Sequence, residues 1–107
     1  MAAYFVDLDG TLFFFGTNTL TPGVKEFLKF IKDNNHQLIL TTRRGKDWEG
    51  HPIFSAEKTL KALKELKIDY QQILFDIDSP RIIINDDNCS AINIKTNEGI
   101  KIEFRTT

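Results

Sequence analysis

The sequence predicts an α/β fold with a mostly parallel sheet. Short apolar runs alternate with amphipathic helical patterns, and the runs end abruptly in polar residues: Ala3–Val6 before Asp7, Gln37–Leu40 before Thr41, Arg81–Ile84 before Asn85. Strand, helix, strand, helix, strand in that order implies parallel strands joined by right-handed crossovers, and such sheets bind ligands beyond the carboxyl ends of their strands. With 107 residues and 12.3 kDa, the chain is expected to form a single domain over residues 1–107.

Taken in order, Ala3–Val6 reads as a buried strand that stops in the turn Asp7-Leu8-Asp9-Gly10-Thr11. Leu12–Phe15 and the turn-rich Gly16-Thr17-Asn18-Thr19 suggest a short flap or hairpin. Thr21 is the expected N-cap of a helix with Pro22 at its first position, since Val24, Phe27, Leu28 and Ile31 keep helical spacing until Asn34-Asn35. Gln37–Leu40 is the second strand and delivers Thr41, Thr42, Arg43 and Arg44 at its end. A loop from Gly45 to Ser55, carrying Trp48 and His51, is long enough to close over a site. Ser55 fits an N-cap for a helix from Ala56 to Leu66, with Leu60, Leu63 and Leu66 as its expected core stripe. Ile73–Phe75 is too short to assign by itself. Arg81–Ile84 reads as the third strand, and Ala91–Ile94 with Ile100–Phe104 as edge strands around the turn Thr96-Asn97-Glu98-Gly99.

Composition narrows the function. Hydrophobic residues make up 41% and charged residues 27%, as in soluble globular domains, and 14 Lys plus Arg against 15 Asp plus Glu leave a charge of -1. No basic field exists to hold nucleic acid or an anionic membrane, so any anion must be bound locally. A single cysteine, Cys89, excludes an internal disulfide, and with only His36 and His51 beside it a structural zinc lacks ligands. No apolar stretch approaches the roughly 20 residues of a membrane span. A cytoplasmic location is expected.

The strand ends gather Asp7 and Asp9, Thr41 and Thr42, and Asp86 with Asp87. Several carboxylates in one cleft repel one another unless a hard cation neutralises them, and an oxygen-only shell suits Mg²⁺. Mg²⁺ shares its remaining positions with substrate phosphate, which points to a phosphate ester as substrate.

Asp7-Leu8-Asp9-Gly10-Thr11-Leu12 resembles the first motif, DxDGTL after an apolar strand, of the haloacid dehalogenase (HAD) superfamily of phosphohydrolases. A chance match in so short a chain has a probability on the order of one in a thousand. Thr41 is similar to the second motif, and Ile83-Ile84-Asn85-Asp86-Asp87 to the fourth, so the resemblance runs from residue 3 to about 94. It implies a three-layer Rossmann-like, HAD-like fold without an inserted cap, most similar to small capless phosphatases of the capsular-polysaccharide or sugar-phosphate type. Asp7 is then the nucleophile that forms an aspartyl-phosphate, and Asp9 the general acid, then base. Gly10 permits the sharp turn, and Thr11 holds the two carboxylates. Thr41 bonds a phosphate oxygen, with Thr42 and Arg43 at the same strand end also assigned to phosphate. The implied Mg²⁺ ligands are Asp7, the carbonyl of Asp9, and Asp86, with Asp87 as the competing choice. A phosphorylated small molecule such as a sugar phosphate is the implied substrate, and an open site is compatible with a homo-oligomer that covers it.

The third motif departs from the family. A lysine is implied at Ile77 or Asp78 in Phe75-Asp76-Ile77-Asp78-Ser79-Pro80-Arg81 and is absent. Arg81 is the first candidate to replace it, Lys58 and Arg44 the others, although a planar guanidinium is not a simple substitute for an ammonium. An alternative therefore stands beside the phosphohydrolase: a regulatory protein that keeps the metal and phosphate pocket without efficient turnover. A phospho-accepting receiver domain fits less well, because it places adjacent acids after its first strand.

Overall fold

The computed structural model describes residues 1–101. Strand β1 (Ala3–Asp7), helix α1 (Val24–Asp33), strand β2 (Gln37–Thr41), helix α2 (Ala56–Glu65) and strand β3 (Gln72–Leu74) alternate, with a single 3-10 turn at Lys46–Trp48. The sheet is parallel throughout, in the order β1-β2-β3. The fold is α/β and Rossmann-like, with no further domain among the described residues, none of whose helices is long and apolar enough to cross a membrane.

Register places Asp7 beside Thr41 and Thr41 beside Leu74, so all three strands end at one level. Alternation decides the faces: Val6, Leu38 and Leu40 join Val24, Phe27 and Ile31 of α1 and Leu63 of α2 in one buried cluster, whereas Phe5 is 62% exposed. Tyr4 extends the packing by edge-on contacts to Phe27 and Phe30, with ring centroids 5.8 and 6.2 Å away.

Helix α2 starts as expected, because the Ser55 side chain accepts from the Lys58 amide at 3.2 Å. Its buried face differs from the leucine stripe: Thr59, Ala62 and Leu63 are inside, while Leu60 and Leu66 are about two-fifths exposed. The helix is turned toward the Thr59 hydroxyl, which is needed by a buried arginine. Thr21 is not the cap of α1. Gly23, in the left-handed region at φ 81°, holds that position, and the Thr21 hydroxyl instead donates to the Thr11 carbonyl at 2.6 Å.

Beyond β3 the expected third strand does not form. Ile82, Ile83 and Ile84 lie outside regular structure and are 84%, 66% and 95% exposed, because no neighbouring strand offers this run a ladder or an apolar face. Ala91–Ile94 is likewise irregular. The turn at Thr96-Asn97 is present, closed by Glu98 donating to the Lys95 carbonyl at 3.0 Å, and the expected strand Ile100–Phe104 lies mostly outside the described residues.

This packing separates two leucines of one helix. Leu63→Ala should cost about 2–5 kcal/mol in urea unfolding, as buried leucines do, and Leu60→Ala less than about 1 kcal/mol. Equal losses would show that the stripe, not the observed face, is the core.

Candidate functional site

Polar and apolar residues are sorted at the end of β1 by a tight turn. The Leu8 amide extends the ladder by donating to the Thr41 carbonyl at 3.2 Å, after which Thr11, Leu12 and Phe13 donate back to Leu8, Asp7 and Leu8. Leu8, Leu12 and Phe13 are fully buried and anchor the turn, leaving Asp7, Asp9 and Thr11 on its outer side. Gly10 sits at φ 85°, where a side chain is strained, and a Cβ there would stand 3.0 Å from Thr96 Cγ2. Asn97 clamps the turn from outside: its amide donates to the Gly10 carbonyl at 2.8 Å and its Oδ1 accepts from the Phe15 amide at 2.6 Å.

Asp7 and Asp9 meet different cations. Arg81 Nη1 donates to Asp7 Oδ1 at 2.8 Å, and the Thr11 hydroxyl reaches Oδ2 at 3.3 Å. Burial raises the Asp7 carboxyl above the ordinary aspartate range; Arg81 and Thr11 oppose that shift in part, and nearby Asp9 adds to it.

Asp9 is held by a fork. Arg44 Nε donates to Asp9 Oδ2 at 2.9 Å and Nη2 to Oδ1 at 2.7 Å, a bidentate pair with the guanidinium only 1% exposed. The remaining contacts of Arg44 run to three other segments: Nη2 to the Thr17 carbonyl, Nη1 to Asn18 Oδ1 at 2.7 Å in the flap, to the Thr59 hydroxyl at 3.1 Å on α2, and to the Ile53 carbonyl at 3.3 Å in the long loop. Its guanidinium carbon also lies 5.3 Å from the Phe13 ring centre and 5.1 Å from that of Phe54.

The sequence names Arg44 only as a reserve cation, yet a signal for it exists. Leu38, Leu40, Thr42 and Arg44 are all buried, and Arg43 is exposed, so the two-residue alternation of β2 continues past its end and selects the second arginine.

The other expected residues divide. Thr41 stands beside Asp7 and is half-buried. The Thr42 hydroxyl is buried and accepts from the Arg44 amide at 3.1 Å, and the Gly10 amide donates to the Phe13 carbonyl at 2.7 Å. Lys58 is exposed on α2. Trp48, His51 and Phe54 pack on one another, His51 stacked on Phe54 at 4.8 Å, and His51 Nδ1 accepts the amides of Ile53 and Phe54, so the long loop is folded onto Arg44. A hollow of about 370 Å³ lined by Gly45, Lys46, Ser55, Phe75 and Asp76 adjoins this end of the sheet. A larger one, about 580 Å³, lies at the opposite end beside His36 and Gln37.

The expected Mg²⁺ shell draws on two carboxylates, Asp7 and Asp86, and on the Asp9 carbonyl. Among the described residues no three His, Cys, Asp or Glu side chains stand together to hold a metal. Asp86 turns its carboxylate into its own loop, accepting from Asn85 Nδ2 at 3.2 Å and the Asn88 amide at 3.0 Å. Both Asp7 oxygens and both Asp9 oxygens face donors from side chains instead.

Comparison with known proteins adds three findings. A family model described as haloacid dehalogenase-like hydrolase matches residues 4–73, which ends within β3 and before Asp86. A crystal structure of a structural-genomics target from Vibrio cholerae shares the fold at a TM-score of 0.59 and 20% identity, covering 99% of this chain and 94% of that one. No curated protein matches the chain.

Two stability measurements follow from the acid environments. A carboxyl raised by burial costs the fold stability once ionised: the cost is absent below the unfolded value of about 3.9 and complete above the raised folded value. Asp7→Asn should therefore gain stability relative to the native chain as pH rises through that window and keep the gain at neutral pH; a difference independent of pH would contradict the assignment. Arg44→Met should lose about 3–5 kcal/mol at neutral pH, since it strands the Asp9 carboxylate, and the double variant with Asp9→Asn should recover part of the loss.

Proposed function

Because the chain belongs to the haloacid dehalogenase-like hydrolases, we propose that it is a phosphohydrolase that cleaves a phosphate ester through an aspartyl-phosphate on Asp7. The observation that carries this reading is the pairing of Asp7 with a partly exposed guanidinium at the strand end. The side chains of Asp7 and Arg81 are 31% and 28% exposed, so both are open to a phosphate group.

Support for each role comes from the local chemistry. Asp7 is a carboxylate that burial makes costly to keep charged, and that cost favours its attack on phosphorus. Arg81 is placed to trade its contact with Asp7 for the phosphate oxygens, and so to fill the place of the absent lysine. Thr41, beside Asp7, and the exposed Arg43 are further donors for those oxygens. Asp9 handles the proton of the attacking water when the aspartyl-phosphate is hydrolysed. Members of the family typically use Mg²⁺; here Asp7, the Asp9 carbonyl and Asp86 would hold it, and it would supply positive charge to the phosphate group.

Phosphate release from 4-nitrophenyl phosphate, assayed with added Mg²⁺ and with chelator, tests the reading. Release should be lost in Asp7→Asn, and Arg81→Ala should slow it by a factor of about 100 or more, as removal of one stabilising charge does. Undiminished release from Asp7→Asn would overturn the mechanism.

A further inference from the structure

One residue of the tail takes hold of the turn after β1 at two points. The Asn97 amide donates to the Gly10 carbonyl at 2.8 Å, and its side-chain Oδ1 accepts from the Phe15 amide at 2.6 Å. Asn97 sits at φ 67°, a left-handed conformation that asparagine tolerates better than most residues. The segment that presents it is braced. The Glu98 amide donates to the Lys95 carbonyl at 3.0 Å, Glu98 Oε2 accepts from the Lys95 amide at 3.3 Å, and Ile100 is buried just beyond, its amide bonded to the Pro22 carbonyl.

Both bonds bear on the site. The peptide whose carbonyl Asn97 holds leads into Thr11, whose hydroxyl reaches Asp7 Oδ2 at 3.3 Å. The Phe15 amide lies at the start of the flap, whose Thr17 carbonyl and Asn18 Oδ1 accept from Arg44, the partner of Asp9. Arg44 therefore grips the flap from inside and Asn97 grips it from outside. Packing does little to hold either contact in its place: Gly10 has no side chain to anchor its peptides, and the Phe15 side chain is 64% exposed. Hydrogen bonds have to fix both.

We propose that Asn97 is a positioning residue of the site: it sets the Gly10–Thr11 peptide and the flap, and through them the orientation of the Asp7 carboxylate toward phosphorus. The proposal rests on the phosphohydrolase reading and adds to it a residue beyond 73, where the family match ends. Attack on phosphorus needs the reacting atoms about 3–3.5 Å apart and aligned, and a misplacement of about 1 Å costs about a hundredfold in rate. The phosphate draws on Arg81 and Thr41, which belong to other segments and do not depend on the Asn97 bonds. Loss of the clamp therefore belongs in kcat and not in KM.

Two substitutions on the intact chain test it. Asn97→Gly keeps the amide and accepts φ 67° while removing Oδ1, and Asn97→Asp keeps an oxygen acceptor at the same reach. With 4-nitrophenyl phosphate, well below the unfolding temperature of each variant, Asn97→Gly should lower kcat by about tenfold to a hundredfold and change KM by less than about threefold. Asn97→Asp should bring kcat back to within about threefold of the native value. Amide hydrogen exchange at Phe15 and Thr11 should quicken in Asn97→Gly and not in Asn97→Asp. A residue that only braces the fold would lower the unfolding temperature and quicken exchange with kcat unchanged, and that result overturns the proposal. Equal loss of kcat in both variants overturns it too. Should Asn97→Gly not fold, Asn97→Ala, which also lacks the acceptor, makes the same comparison. Native release that is lost in Asp7→Asn keeps the phosphohydrolase standing whatever the Asn97 variants do. No release by the native chain, with no phosphate on Asp7, overturns both.

Discussion

A guanidinium buried to 1% exposure between a flap, a loop and a helix is the constraint around which the carboxyl end of this sheet is built. Taking such a charge out of water costs several kcal/mol unless its donors are satisfied, and here every nitrogen of Arg44 finds an acceptor. Those acceptors come from Asp9, Thr17, Asn18, Ile53 and Thr59, which belong to four separate stretches of chain. Each stretch has therefore a polar reason to be where it is. The flap is held by Thr17 and Asn18, α2 is rotated so that Thr59 rather than Leu60 faces inward, and Phe13 and Phe54 lie against the cation.

That organisation explains which parts of the chain were legible in its sequence. The strands β1 and β2 and both helices follow from apolar periodicity, and the Ser55 cap from the residue type, because each signal reports an interaction made locally. The leucine stripe of α2 misleads for the opposite reason: its rotation is set by Arg44, 15 residues away along the chain. Thr21 has the residue type of a cap, yet a hydroxyl close to the Thr11 carbonyl takes that partner instead. Strand β3 has three residues, below the length at which a pattern can be seen, and exists because β2 supplies a ladder. Ile82–Ile84 has the pattern without the ladder and remains exposed. The family match ends at residue 73, on the near side of that same divide.

The candidate site was legible where the motif itself carries it, in Asp7, Asp9, Gly10 and Thr11, and not where it depends on contacts across the fold. Arg81 is the exception, since its place near the absent lysine makes it the first stand-in and it pairs with Asp7, 74 residues away, whereas the match of Arg44 to Asp9, spanning 35, has no such pointer. Asn97 is a further case. It lies in a turn that the sequence does show, but its work, bracing Gly10 and Phe15, requires the tail to return over the first turn. Gly99 permits that return: a Cβ there would meet the Pro22 carbonyl oxygen, and Ile100 is buried just beyond, its amide bonded to the same carbonyl at 3.0 Å.

Two carboxylates two residues apart can serve different steps only if their surroundings differ, and here they do. Asp9 is locked to a cation that cannot move without exposing buried partners, and its position is fixed. Asp7 is partly buried, which raises it, and its cation is a side chain anchored, among the described residues, only at the Ile77 carbonyl besides Asp7 itself. A phosphate group approaching that end of β1 offers Arg81 two or three oxygens in place of one. As the guanidinium shifts to the phosphate, Asp7 loses the partner that offset its burial, while the phosphate gains the positive charge that its transfer requires. Under the proposed chemistry the two arginines divide the work: Arg81 follows the phosphoryl group, and Arg44 holds Asp9 in place beside it.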